Sequence, residues 1–276
     1  MAAPKKDANE LSFFEHIEVL RWHILRAAAS VVIVALVVFF SKTFVFQYVI
    51  LGPTHADFVT YQFFCNISPE FCFYPENLQI ITRDIQEQFI SHLKVSLWLG
   101  IIVAFPYVFY EFWKFIRPGL YKNEIKAARG IVFICSLLFL MGVSFGYFII
   151  SPIAITFLST YSVSPEVANT TTLAALVNNM TMFTLPVGLV FEMPVVMFFL
   201  AKIGIVSSAF LRQYRRHAIV VIIVVAAVIT PPDAISQMMV AIPLYTLYEV
   251  SIIVTRRIDK ERAEKEARDA LELKEE

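Results

Sequence analysis

Apolar runs long enough to cross a bilayer alternate with short polar segments along almost the whole chain. Six runs can be delimited: 22–40, 95–112, 131–150, 176–201, 217–230 and 238–254. A hydrocarbon core takes about 20 helical residues. The fifth run has only 14 residues, or about 21 Å at 1.5 Å per residue. The sixth has 17, or about 26 Å. Short spans of this kind require local thinning of the bilayer or shielding by protein. The pattern predicts an all-α, polytopic membrane protein with six transmembrane helices.

The segments between the runs are also patterned. Ser12-Phe13-Phe14-Glu15 fits a capping box, and Phe13, Ile17 and Leu20 follow at helical spacing. This predicts a short amphipathic helix at the membrane surface, leading into the first span. Residues 41–94 form a long outer loop with Pro53, Pro69 and Pro75, large enough to be partly structured. Within it, Leu78–Ile90 reads as an amphipathic surface helix. The last outer turn contains Pro231-Pro232-Asp233, where the proline pair stops one helix and Asp233 can cap the next.

Composition agrees with the pattern. Of 276 residues, 58% are apolar and 17% charged, with a mean hydropathy of +0.68, more than a soluble domain could cover. Net charge is zero, so only its distribution is informative. The segment between runs two and three and its flanks carry Lys114, Arg117, Lys122, Lys126 and Arg129. That between four and five carries Lys202, Arg212, Arg215 and Arg216. The opposite-side loops hold only Lys42, Arg83 and Lys94. The positive-inside rule puts both termini in the cytoplasm. The first run starts after residue 21, is too long for a cleavable signal and lacks a small-residue cleavage site, so it is expected to serve as its own membrane signal. Residues 1–257 read as one membrane domain and 258–276 as a charged cytoplasmic tail.

Candidate chemistry is sparse. Glu192 lies ten positions before Lys202, about 15 Å of helix, which puts it near the bilayer midplane. An ionisable group there is a functional candidate by default, and Pro186 and Pro194 can bend its helix. Glu124 is the one acid in a basic loop, where Pro118 and Gly119 give a defined turn. It can pair with a neighbouring cation or hold a guanidinium. Glu18 can pair with Arg21. Glu111 and Glu249 rank below Glu192. Thr230, Asp233 and Gln237 form a polar cluster at the outer end of runs five and six. Cys65 and Cys72 are a candidate disulfide if that side is oxidising, whereas Cys135 reads as packing. No catalytic set, phosphate loop or metal spacing is present in the sequence, and no cofactor or nucleic-acid partner is called for.

Several motifs, in this order and spacing, resemble the TatC family, the large integral subunit of the twin-arginine protein translocase. They are His16 with Leu20-Arg21, Phe115-Ile116-x-Pro118-Gly119-Leu120-Tyr121-x-x-Glu124, Phe191-Glu192-x-Pro194, Thr230-Pro231-Pro232-Asp233-x-x-Ser236-Gln237, and Ala241-Ile242-Pro243 with Glu249. The resemblance implies a receptor in the bacterial cytoplasmic membrane. Signal peptides with paired arginines, carried by folded precursors, would bind at Glu124 with an N-terminal carboxylate, among Phe115, Pro118, Leu120 and Tyr121. Glu192 would line a concave membrane pocket that meets the signal or small single-span partners of the TatA and TatB type. Those partners would dock along helices five and six, near Thr230, Asp233 and Gln237. The proton-motive force would drive transport, with further copies of the chain and membrane lipids as neighbours. The family usually has Glu three residues after the histidine. Here position 19 is Val and the acid is Glu18, about 100° round the helix. The alternative class is a proton- or cation-coupled secondary transporter with Glu192 as relay. Such folds usually show internal repeats, and none is evident here.

Overall fold

The computed structural model describes residues 13–68, 72–75, 78–116, 130–164, 169–230 and 234–275. Its main helices are α1 (Phe13–Phe40), α2 (Val59–Ile67), α3 (Glu87–Ile116), α4 (Ile131–Thr160), α5 (Leu173–Phe191), α6 (Met193–Lys202), α7 (Ser208–Gln213), α8 (Arg215–Ile229) and α9 (Ala234–Glu275). Two three-residue strands, β1 (Gln79–Ile81) and β2 (Thr170–Thr172), pair in parallel. Among the described residues, five helical stretches meet the length and hydropathy of a span: Ile17–Phe40, Glu87–Ile116, Ile131–Thr160, Leu173–Lys202 and Ser236–Lys265. The expected fifth span is α8, whose 15 residues reach only about 22 Å.

The chain divides into two compact units. The first comprises Met1–Lys42 and His92–Ser136. Here the amphipathic segment and the first span form one unbroken helix, α1. Where α1 meets α3, Gly100 sits so close that an added Cβ would lie 2.9 Å from the Ala35 Cβ. Small residues let backbones approach in this way, which matters where lipid gives helices no hydrophobic drive to associate. At the C-terminal end of α1 the His92 ring stacks on Phe39 at 4.1 Å, and its Nε2 lies 3.0 Å from the Phe39 carbonyl.

The second unit comprises Thr43–Ser91 and Leu137–Glu276. Gly142, Gly146 and Gly188 bring α4 against α5. A Cβ at Gly142 would stand 2.7 Å from Phe191 Cγ, and one at Gly188 2.8 Å from Val143 Cγ2; the Phe183 carbonyl closes over Gly146. A core of Phe183, Val187, Phe191, Ile222, Ala226, Leu244, Tyr248 and Ile252 joins α5, α8 and α9. The residues expected to form a charged tail continue α9 as helix to Glu275. Its Asp259 Oδ2 accepts the Ser208 N–H at 2.7 Å, and Lys202 Nζ lies 3.6 Å from Glu261. These bonds pin the segment before α7.

The outer loop is built around Tyr61 on α2. Its hydroxyl donates to the Pro53 carbonyl at 2.8 Å and lies 3.2 Å from that of Pro152. Burial pushes this phenol up to about 12. Cys65 and Cys72 are bonded to each other, with a Cα–Cα distance of 4.1 Å, and close the loop after α2. The expectation of one surface helix over Leu78–Ile90 fails. Residues 79–81 are β1, and helix begins only at Glu87. The cause is β2, from the second outer loop, which pairs with β1 in the register Gln79 with Thr170. Glu87 reinforces this junction: its carboxylate accepts from the Arg83 N–H at 2.7 Å and the Ala174 N–H at 2.8 Å. It therefore caps the first turn of α5 while holding the chain just before its own helix.

Candidate functional site

Of the expected signal-binding residues, Glu18 and Phe115 belong to the first unit. Pro118, Leu120, Tyr121 and Glu124 lie outside the described residues, as does Asp233 of the outer turn. Glu18 and Phe115 are described. Glu18 projects from the first turns of α1 with its side chain 65% exposed, and its Oε1 lies 3.5 Å from Arg21 Nη2. The Arg21 guanidinium also sits 5.7 Å from the centre of the Trp22 ring. An exposed i,i+3 pair at this length contributes little, so the Glu18 carboxylate can exchange Arg21 for another cation.

Phe115, in the last turn of α3, meets the His23 ring edge-on, with centroids 6.2 Å apart. His23 Nδ1 is 2.6 Å from Glu111 Oε2. Glu111, ranked below Glu192 on the sequence, is 3% exposed and joined to a residue 88 positions away. Histidine scattered among apolar residues carries no sequence signal for such a bond.

The expected membrane-pocket residues belong to the second unit. Glu192 falls where α5 gives way to α6, and it is 9% exposed. Its N–H donates to the Leu189 carbonyl at 3.1 Å, and its own carbonyl accepts from Val195 and Val196, each at 3.0 Å. Pro194 stands in the first turn of α6, where a missing N–H costs least. The helix thus breaks and restarts around the carboxylate-bearing residue. Interrupted helices within membranes bring backbone polar groups into a site that a continuous helix would hide.

Thr230 is buried and donates to the Ala226 carbonyl at 2.9 Å; Gln237 Nε2 reaches the Ile223 carbonyl at 3.2 Å. The second bond ties the start of α9 to α8. Glu249 is held from two sides, by Arg215 Nη2 at 2.8 Å and by the Tyr245 hydroxyl at 2.9 Å. Among the described residues, no group of three or more His, Cys, Asp or Glu could hold a metal.

Such a molecule falls in the class of polytopic helical membrane proteins, with Glu192 at the junction of two helices. Comparison with known proteins makes the class specific. The family model for Sec-independent protein translocase protein (TatC) matches residues 15–243. A Sec-independent protein translocase protein TatC from Blattabacterium sp. subsp. Periplaneta americana is 37% identical over 265 residues, covering 94% of this chain and all of that one. Another, from Campylobacter jejuni, is 33% identical over 252 residues, covering 91% and 98% respectively. The crystal structure of a twin arginine translocase receptor TatC superposes with a TM-score of 0.67 at 29% identity, covering 88% of this chain and 99% of that one. A second, in DDM, gives 0.69 at 28% identity, covering 87% and 99%. The chain belongs to the TatC family. It is a multi-pass inner-membrane subunit of Sec-independent protein transport and not an enzyme.

Proposed function

We propose that this chain is the receptor of its translocase. It binds the paired arginines of a signal peptide at the cytoplasmic face and recruits small single-span subunits of the TatA and TatB type for export driven by the proton-motive force. Arginine stays charged at any physiological pH and offers a planar fork of donors. Glu124, with Glu18 as second carboxylate, supplies the acceptors for that fork, with Phe115, Pro118, Leu120 and Tyr121 as further contacts of the signal. Both termini face the cytoplasm. Residues 1–257 form the membrane domain, and 258–276 form the tail.

The observation that carries this reading is the loop motif from Phe115 to Glu124 in a chain of this family. The exposure of Glu18, held by one long local pair, supports it. Glu192, with Thr230, Asp233 and Gln237, serves contact with the apolar part of the signal or with the partner helices. Glu124→Ala is expected to abolish export of a twin-arginine precursor while the protein still inserts, and Glu124→Gln to be nearly as severe. Normal export by an inserted Glu124→Ala protein overturns the assignment.

A further inference from the structure

A buried carboxylate is expensive unless something holds it. Glu111 is 3% exposed, one turn before α3 ends at Ile116. Two side chains bond to it: His23, at 2.6 Å from α1, and Tyr107 on its own helix. His23 is itself buried, and its ring rests edge-on against Phe115. The pair thus fastens α1 to the cytoplasmic end of α3.

Its place in the chain is what gives it meaning. Glu18 lies five residues before His23 on the same helix, about 7.5 Å along the axis. Phe115 follows Glu111 by one turn, and the loop bearing Glu124 follows Phe115. Two carboxylates on separate segments can grip two guanidinium groups only if those segments are held in register. Glu18 cannot provide that hold, because its own pair with Arg21 is exposed and long. Elsewhere α1 and α3 are already locked, at Gly100 against Ala35 and at His92 against Phe39. The His23–Glu111 bond is therefore not required to keep the two helices together. It sets where their cytoplasmic ends stand.

We propose that His23 and Glu111 are positioning residues for twin-arginine recognition, fixing the N-terminal helix against the end of α3 without touching the signal. This rests on the reading that Glu124 and Glu18 bind the arginines. The test is the affinity of the full-length, membrane-inserted protein for a labelled twin-arginine signal peptide, in the variants His23→Ala, Glu111→Ala, their double and Glu111→Gln, with Glu124→Ala alongside. Each single alanine variant should weaken binding about tenfold, and the double should be no weaker than either, because the two residues act as one unit. Glu111→Gln keeps an acceptor for the imidazole and should stay within about threefold of the parent.

A merely structural role predicts lost insertion or stability, with full affinity for the signal peptide in whatever protein inserts. Additive losses in the double variant, or a Glu111→Gln protein as weak as Glu111→Ala, overturn the proposal. So does full affinity in both alanine variants while Glu124→Ala loses it, and in that case the binding-site reading survives. Full affinity in all of them, Glu124→Ala included, removes the binding-site reading and this proposal together. Where an alanine variant fails to insert, the Glu111→Gln arm decides between the same outcomes, with His23→Gln, which keeps a donor, as its partner.

Discussion

The fourth span contains two prolines and the sixth contains one, and each carries a buried or half-buried glutamate, yet they fold differently. The fourth breaks at Glu192 into α5 and α6, with Pro194 opening the second piece. The sixth runs past Pro243 without interruption from Ala234 to Glu275. Its Glu249 is engaged by Arg215 across the helix pair and by Tyr245 one turn away. That carboxylate acts as a strut between α8 and α9. Glu192 sits instead where two helix ends meet, its N–H bonded to the Leu189 carbonyl and its own carbonyl to Val195 and Val196. A glutamate's place in the helix, more than its depth in the membrane, separates the strut from the candidate contact site.

This contrast can be broken most strongly at the strut. Arg215→Glu places two carboxylates opposite one another and should cost about 1–2 kcal/mol of stability after allowance for partial exposure. The swapped double, Arg215→Glu with Glu249→Arg, should recover most of it. Thermal unfolding in detergent reads both, and an unrecovered double would show that Glu249 does more than brace α8. A smaller effect on stability, but a visible one on transport, is expected at the break. Glu192→Ala should reduce export several-fold and weaken crosslinking to the small subunits, with the unfolding temperature nearly unchanged. Unaltered assembly with those subunits would remove the role given to Glu192.

The smallest effect lies outside both spans and serves as their control. Tyr61 stays protonated until about 12, whereas an unfolded tyrosine ionises near 10. Its raised value stabilises the outer loop fully below pH 10, and that contribution is lost as pH rises from 10 to 12. Tyr61→Phe should remove this alkaline loss and leave export at neutral pH unchanged, as judged by pH-dependent proteolysis of the loop. Loss of neutral-pH export would tie the outer loop to function.

Much of this was legible from periodicity and punctuation. The apolar runs marked the helices, including the short fifth one, and six intervening residues were enough to pair Cys65 with Cys72 as candidates. Glu192 stood out because a charge among apolar neighbours has few innocent explanations. The long-range bonds were not legible. Nothing in one sequence ties His23 to Glu111, Arg215 to Glu249, or the Glu87 carboxylate to Ala174, since periodicity shows which face is buried and not against what. Asp84-x-x-Glu87 has the spacing of a capping box, a signal that would have placed the start of α3 correctly. The pairing of β1 with β2 depends on two loops about ninety residues apart, which explains the failed helix at Leu78–Ile90. The loop motif ending at Glu124 was readable as a motif alone.

The most direct test places a photoreactive residue at position 121, beside Glu124, and asks for a crosslink to a radiolabelled twin-arginine signal peptide in native membranes. The account predicts a crosslink that disappears when both arginines of the signal become lysines, since lysine cannot supply the bidentate fork. A correctly inserted protein that gives no crosslink, or one that crosslinks the lysine signal equally well, would contradict it.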